Sequence, residues 1–265
     1  MKYGVALGSG GARGAAHIAL LEQLKEREIE VSIVTGSSAG AIIGAFYALY
    51  PEVDLLKVFK EIIVDEKRTI ESHFKTLNNK ITNFPKMIAG KSFLKNEFVY
   101  RLYKNLYGNK KFSDCEIKLG IVSYDLESGK EVEITEGYII DAVMASTSVP
   151  GVFPPLRLGG MQLLDGGVLE PVPAQLAKKL GAEYVIFSDL NSETIENFQI
   201  NDGLEYLIYI DDYKNKIMVD HEAQFAEEIY SFPIKYSWED FSHFLAIYED
   251  AKIYLENNFK EGKKH

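Results

Sequence analysis

Ser38 sits between small residues, in the run Gly36-Ser37-Ser38-Ala39-Gly40. A Gly-x-Ser-x-Gly spacing suits a serine on a sharp strand-to-helix turn. Gly36 and Gly40 remove the Cβ atoms that would collide as the chain doubles back. The flanking segments supply that context. Val31-Ser32-Ile33-Val34-Thr35 reads as a buried strand, and Ala39 to Tyr50 reads as a helix rich in Ala, Ile and Tyr. The hydroxyl would emerge at the carboxyl end of the strand, near the positive end of the following helix. That arrangement presents a weak nucleophile for acyl transfer.

A second turn, Gly8-Ser9-Gly10-Gly11-Ala12-Arg13-Gly14, falls between a strand at Tyr3 to Leu7 and a helix from about Ala15 to Arg27. Backbone N–H groups at such a turn form an anion site. Three uses compete. A dinucleotide pyrophosphate would need Gly or Ala where Arg13 stands, and an acid where the second strand ends in Thr35-Gly36. An oxyanion hole would use adjacent amides to stabilise a tetrahedral intermediate. A plain βα turn would bind nothing. Two strands joined by a helix should pair in parallel, which sets this turn next to Ser38.

A serine nucleophile needs a base. The histidines are His17, His73, His221, His243 and His265, and none has a convincing base context. His17 reads as a packed residue of the first helix, and His73 as a solvated one. His221 and His243 fall in helical stretches, and His265 is in the tail. An α/β-hydrolase would place its elbow later in the chain, followed by Asp and then His. Asp165 follows a short apolar strand, and Gly166-Gly167 lets the backbone turn closely around another group. Its carboxylate could take the serine proton directly, or the segment could be an ordinary Asp-Gly turn.

Gly10-Gly11-Ala12-Arg13-Gly14, then Gly36 to Gly40, then Asp165-Gly166-Gly167, in that order, resemble the signatures of the patatin-like phospholipases. The stretch from Ala145 to Pro155 resembles the segment leading into the family's Asp-Gly-Gly. The likeness covers roughly residues 3–190 apart from an insertion. One departure is Ser9-Gly10-Gly11, where the family often has three glycines. The resemblance implies a three-layer α/β/α fold with a mainly parallel central sheet. It also implies a Ser–Asp dyad, with Ser38 attacking an ester carbonyl and Asp165 as base. The amides of Gly10 and Gly11 would bind the oxyanion, and Arg13 would shape or charge the loop. Gly8, Gly14, Gly36, Gly40, Gly166 and Gly167 are the motif glycines. No metal, cofactor or nucleic acid is implied. The expected function is hydrolysis of lipid carboxyl esters. An acyltransferase using the same acyl-enzyme and a non-catalytic partner-binding protein remain as alternatives.

These motifs need a sheet to hold them. Sheet signals return at Ile117 to Asp125 and Glu131 to Thr135, and again at Met161 to Leu164 and Tyr184 to Ser188. Residues 54–64, 138–147, 173–180, 203–229 and 241–259 read as helical, and Val149 to Leu156 as a Pro-rich loop. One domain spanning 1–265 is expected, with a helical basic insertion at about 65–113 and a helical C-terminal part at about 203–260. The single Cys115 excludes an internal disulfide and fits a reducing compartment. The chain opens on a strand without a signal-peptide pattern, and no segment approaches the roughly 18 apolar residues of a membrane span. A cytoplasmic protein is expected, with peripheral membrane association as a further option. Net charge is −10, yet residues 67–111 carry +9 and the rest −19. That basic segment is interleaved with aromatics, which suggests contact with anionic lipid surfaces.

Overall fold

The computed structural model describes residues 1–66, 69, 96–191 and 203–259. Most of the basic insertion lies outside the described residues, including Lys91, Lys95, Phe74, Phe84, Phe93 and Leu94.

Among the described residues, eight strands form one sheet: β1 (Tyr3–Leu7), β2 (Val31–Gly36), β3 (Lys118–Asp125), β4 (Lys130–Ile134), β5 (Leu156–Leu158), β6 (Met161–Asp165), β7 (Tyr184–Asp189) and β8 (Glu228–Ser231). Their order is β5-β6-β3-β2-β1-β7-β8, with β4 on the other edge of β3. The run β3-β2-β1-β7-β8 is parallel throughout. The helices are α1 (Ala15–Glu26), α2 (Ala39–Leu49), α3 (Leu55–Asp65), α4 (Asn96–Tyr107), α5 (Ile139–Ser146), α6 (Ala174–Lys179), α7 (Gly203–Glu222) and α8 (Phe244–Asn258).

Side chains alternate across the sheet, as the two-residue strand period requires. Val5, Leu7, Val34 and Ile186 face a large layer built by α1, α2, α3, α4, α5 and α8. Ala6, Ile33, Val185 and Phe187 face a smaller layer holding Ala174 and Ala177 of α6, with Val219 of α7 packed on it. The result is the three-layer α/β/α arrangement. Strands covered on both faces read as near-continuous apolar runs, and β1 is buried from Gly4 onward. Helix α2 is buried at every position but Ile42, which its Ala, Gly and Ile content permits. Asp54 caps α3, accepting the Lys57 N–H at 2.8 Å.

Two strands depart from the sequence reading. The segment expected to be helical to residue 229 leaves its helix at Glu222 and forms β8 from Glu228. The Pro-rich loop gives way at Leu156 to β5, which pairs with β6 through a turn at Gly159-Gly160.

Two features of the topology position the site. The chain leaves β1 toward β2 on one side and returns to β7 on the other. The carboxyl ends of β1 and β7 therefore mark a topological switch point, the position at which open α/β sheets bind ligands. The second feature is β3. Its first half pairs with β2, and its second half pairs with β6, which runs antiparallel. Because β4 occupies the opposite edge, β2 and β6 lie end to end along one edge of β3. Gly36 faces Ile121 and Asp165 faces Ser123, so the residues that end β2 and β6 meet two positions apart.

Candidate active site

Ser38 follows β2 and caps α2. Its φ of 51° and ψ of −113° lie where a residue with a Cβ is strained. The turn closes so tightly that a Cβ on Gly40 would come within 2.0 Å of the Leu7 carbonyl oxygen. That contact explains the second glycine of the pentapeptide. Ser38 Oγ donates to Asp165 Oδ2 at 2.7 Å. The two residues are 8% and 6% exposed, so the pair is sheltered but reachable.

Asp165 ends β6. Its other oxygen, Oδ1, accepts the Gly167 N–H at 2.8 Å. Burial pushes the carboxyl from 3.8 up to about 6, while the hydrogen bonds from Ser38 and Gly167 pull it back. Gly166 opens the short 3-10 turn that follows.

The glycine-rich turn lies beside this pair, as parallel pairing of β1 and β2 required. Leu7 is in register with Gly36, Gly40 N–H donates to Gly8 O at 3.1 Å, and Ser37 N–H donates to Leu7 O at 3.1 Å. Gly167 packs on Ser9. Gly11 has φ +56°, and a Cβ there would sit 2.3 Å from the Trp238 carbonyl oxygen. Gly14 leads into α1. Among the described residues the N–H groups of Gly10 and Gly11 have no acceptor. Their neighbours are committed: Ala12 N–H donates to Trp238 O at 2.7 Å and Arg13 N–H to Gly10 O at 3.1 Å. The Arg13 guanidinium ties the turn to its surroundings. It donates to Tyr236 O at 2.7 Å, Leu190 O at 3.4 Å and Asn191 Oδ1 at 3.3 Å.

His17 is fully buried on α1. Nε2–H donates to Gly8 O at 2.8 Å, which leaves Nδ1 to accept the Ser188 hydroxyl at 2.8 Å. Burial pushes the imidazole down to about 4. Both nitrogens are occupied, so His17 braces the turn as a neutral ring. His243 bonds Asp240 at 2.7 Å, and His221 lies 3.5 Å from Glu222. His73 and His265 are outside the described residues. Among the described residues no three His, Cys, Asp or Glu side chains are grouped to hold a metal ion.

Several supporting residues were not identified from sequence. Ser146 Oγ accepts the Ser38 N–H at 2.9 Å. Asn191 Nδ2 donates to Ser9 O at 3.1 Å. Tyr236 and Trp238 act through their carbonyls, which no residue type advertises. The only available signal for Ser146 was its place in the Ala145-to-Pro155 stretch.

A sheltered Ser–carboxylate pair beside free amides is equipped for acyl transfer. A family model for the patatin-like phospholipases matches residues 5–178, and the chain belongs to that family. An uncharacterised NTE family protein of Mycobacterium bovis is 30% identical over 190 residues, covering 72% of this chain and 49% of the relative. Lysophospholipase NTE1 of Candida albicans is 29% identical over 189 residues, covering 71% of this chain and 13% of the relative. This chain thus spans about half the length of the mycobacterial relative and less of the fungal one. Among solved structures, VipD from Legionella pneumophila is similar with a TM-score of 0.47 at 16% identity, over 78% of this chain and 52% of that one.

Proposed function

We propose that the chain is a serine hydrolase of lipid carboxyl esters, with phospholipids, lysophospholipids or simple acyl esters as substrates, working through Ser38 and Asp165. The observation that carries this reading is the 2.7 Å hydrogen bond from the strained Ser38 to a buried carboxylate. Asp165 takes the hydroxyl proton as Ser38 Oγ attacks the ester carbonyl. The N–H groups of Gly10 and Gly11 receive the developing oxyanion, where preorganised donors act most strongly. Arg13 shapes that loop. The leaving alcohol takes the proton back from Asp165, and the acyl group stays on Ser38. Water, deprotonated by Asp165, then releases the fatty acid and regenerates the serine. The basic segment would bring the mouth of the site to anionic lipid.

A fluorophosphonate probe and a panel of acyl esters of graded chain length, alongside intact phospholipids, test the reading. Labelling at Ser38 is expected, and Ser38→Ala should lose labelling together with roughly a thousandfold or more of turnover. Substantial hydrolysis by folded Ser38→Ala would remove the mechanism. Failure of the well-folded wild type to label would favour a binding protein.

A further inference from the structure

Both members of the Ser38–Asp165 pair are held by one short piece of chain outside the three glycine-bearing motifs. It is the end of α5 and the two residues after it. Ser146 is the last residue of α5 and is fully buried. Its Oγ accepts the Ser38 N–H at 2.9 Å. Two residues on, the Ser148 carbonyl accepts the Asp165 N–H at 3.0 Å. The two ends of the Ser38–Asp165 hydrogen bond are therefore referenced to the same turn.

Ser38 needs such a hold. As the cap of α2 it has a backbone N–H that the helix ladder does not use. Its φ and ψ are strained, and strain persists only where the surroundings over-determine it. The Ser146 hydroxyl satisfies the buried N–H and opposes relaxation of the elbow.

We propose that Ser146 is a positioning residue: its hydroxyl fixes the strained backbone of Ser38 and so keeps Ser38 Oγ in bonding reach of Asp165. The inference deepens the hydrolase reading, and its kinetic arm rests on that reading. A filler of buried space would do none of this, and the two roles separate experimentally. Ser146→Ala removes the acceptor and one oxygen of volume. If Ser38 relaxes, Asp165 loses a donor that lowers its pKa, and its carboxyl rises above the native value of about 6.

The test follows the Asp165 carboxyl by carbon NMR titration of the full chain, beside ester kinetics. In Ser146→Ala the Asp165 titration is expected to rise by about one unit. Turnover should fall about ten- to a hundredfold with KM little changed, and the acid limb of kcat/KM should move up with the titration. Thr147→Val is the control, since it removes a neighbouring hydroxyl that bonds Val143 O and meets the buried Tyr103 hydroxyl, the titratable neighbour that faces Asp165, but bonds neither Ser38 nor Asp165. It should leave the Asp165 titration in place. Ser146→Cys keeps a weaker acceptor at similar volume and should give a smaller shift, and it carries the same readouts if the alanine variant does not fold. An unchanged Asp165 titration in folded Ser146→Ala and Ser146→Cys overturns the inference. A shifted titration in a chain whose wild type hydrolyses no ester supports the positioning role and removes the hydrolase reading instead.

Discussion

Asp165, the proposed base, is kept charged against its surroundings. Burial favours the neutral acid, yet at about 6 its pKa still leaves the carboxylate ionised near neutrality. Proton affinity and charge are thus both available to a neighbouring hydroxyl. The same shift bears on stability. The native pKa lies above the ordinary 3.8, so the folded state gains relative to the unfolded one as pH falls from about 6 toward 3.8. Above about 6 it carries the full cost, on the order of 3 kcal/mol for a shift of that size. Asp165→Asn removes the charge and keeps an acceptor for the Gly167 N–H. It is expected to lose nearly as much turnover as Ser38→Ala, because the two side chains act as one unit. It should also melt no lower than wild type at about pH 8, with most of any advantage gone near pH 4, where the carboxyl of the folded state is largely neutral. Calorimetry at the two pH values checks this, and a variant that melts lower at the alkaline pH contradicts the burial account. The wild-type kcat/KM should fall below about pH 6 with Asp165 as the base. Single substitution of His17, His73, His221 or His243 should leave that limb in place. Loss of turnover in a folded His73, His221 or His243 variant would replace the dyad by a triad, whereas a loss in a His17 variant could also come from the unbraced turn.

At the scale of elements, the glycine-rich turn is clamped from outside the residues matched to the family. Trp238 O takes the Ala12 N–H, Tyr236 O takes the Arg13 side chain, and the Tyr236 ring stacks on His243 at 4.6 Å. This strap between β8 and α8 leaves no room for a side chain at Gly11. Gly11→Val combines a left-handed φ with a collision against the Trp238 carbonyl, and a β-branched residue tolerates neither. The loop must shift, and its amides lose their aim. A fall in kcat of about a hundredfold or more with KM little changed is expected from steady-state kinetics. A rise in KM alone would mark the loop as a binding wall. The contrast between loop and strap shows what was legible. The elbow and the turn were readable because glycine spacing and alternating apolar strands are local signals, and β1–β2 pairing follows from a single crossover. The strap was not, because it acts through backbone carbonyls more than 220 positions away. β5 and β8, three and four residues long, are too short to show a period and are defined by their partners. His17 was readable as a packed helix residue, but its hydrogen bond to Gly8 needed the folded turn.

Across the whole molecule, charge is the least even property. Residues 67–111 carry +9 against −19 elsewhere. Two fates compete with lipid docking: packing on the core of the apolar stripe that helical spacing gives to Leu94, Phe98, Leu102 and Leu106, and pairing of the basic residues with the acidic body. In the described part of the segment both occur to some degree. Tyr103, Leu106 and Tyr107 of α4 are buried, and Tyr107 Oη donates to Ile42 O at 2.7 Å, beside the serine turn. Arg101 lies 3.7 Å from Glu66, with its side chain 63% exposed. The apolar side of α4 is therefore spent on the core, and Tyr100 is the large apolar residue it leaves outward. Attraction of α4 to a membrane would have to be mainly electrostatic. Each basic residue near an anionic surface contributes on the order of 1 kcal/mol at moderate salt, so a few suffice for reversible docking. Such docking must be screened away as ionic strength rises. No described helix is long and apolar enough to cross a membrane. Co-sedimentation with vesicles should show binding to anionic but not neutral lipid at low salt. Binding should be lost at high salt and on charge reversal at Lys91, Lys95, Arg101 and Lys104. A chain that hydrolyses dissolved esters but leaves anionic vesicles untouched at low salt would be an esterase for soluble substrates, with its basic segment turned inward against its own acidic body.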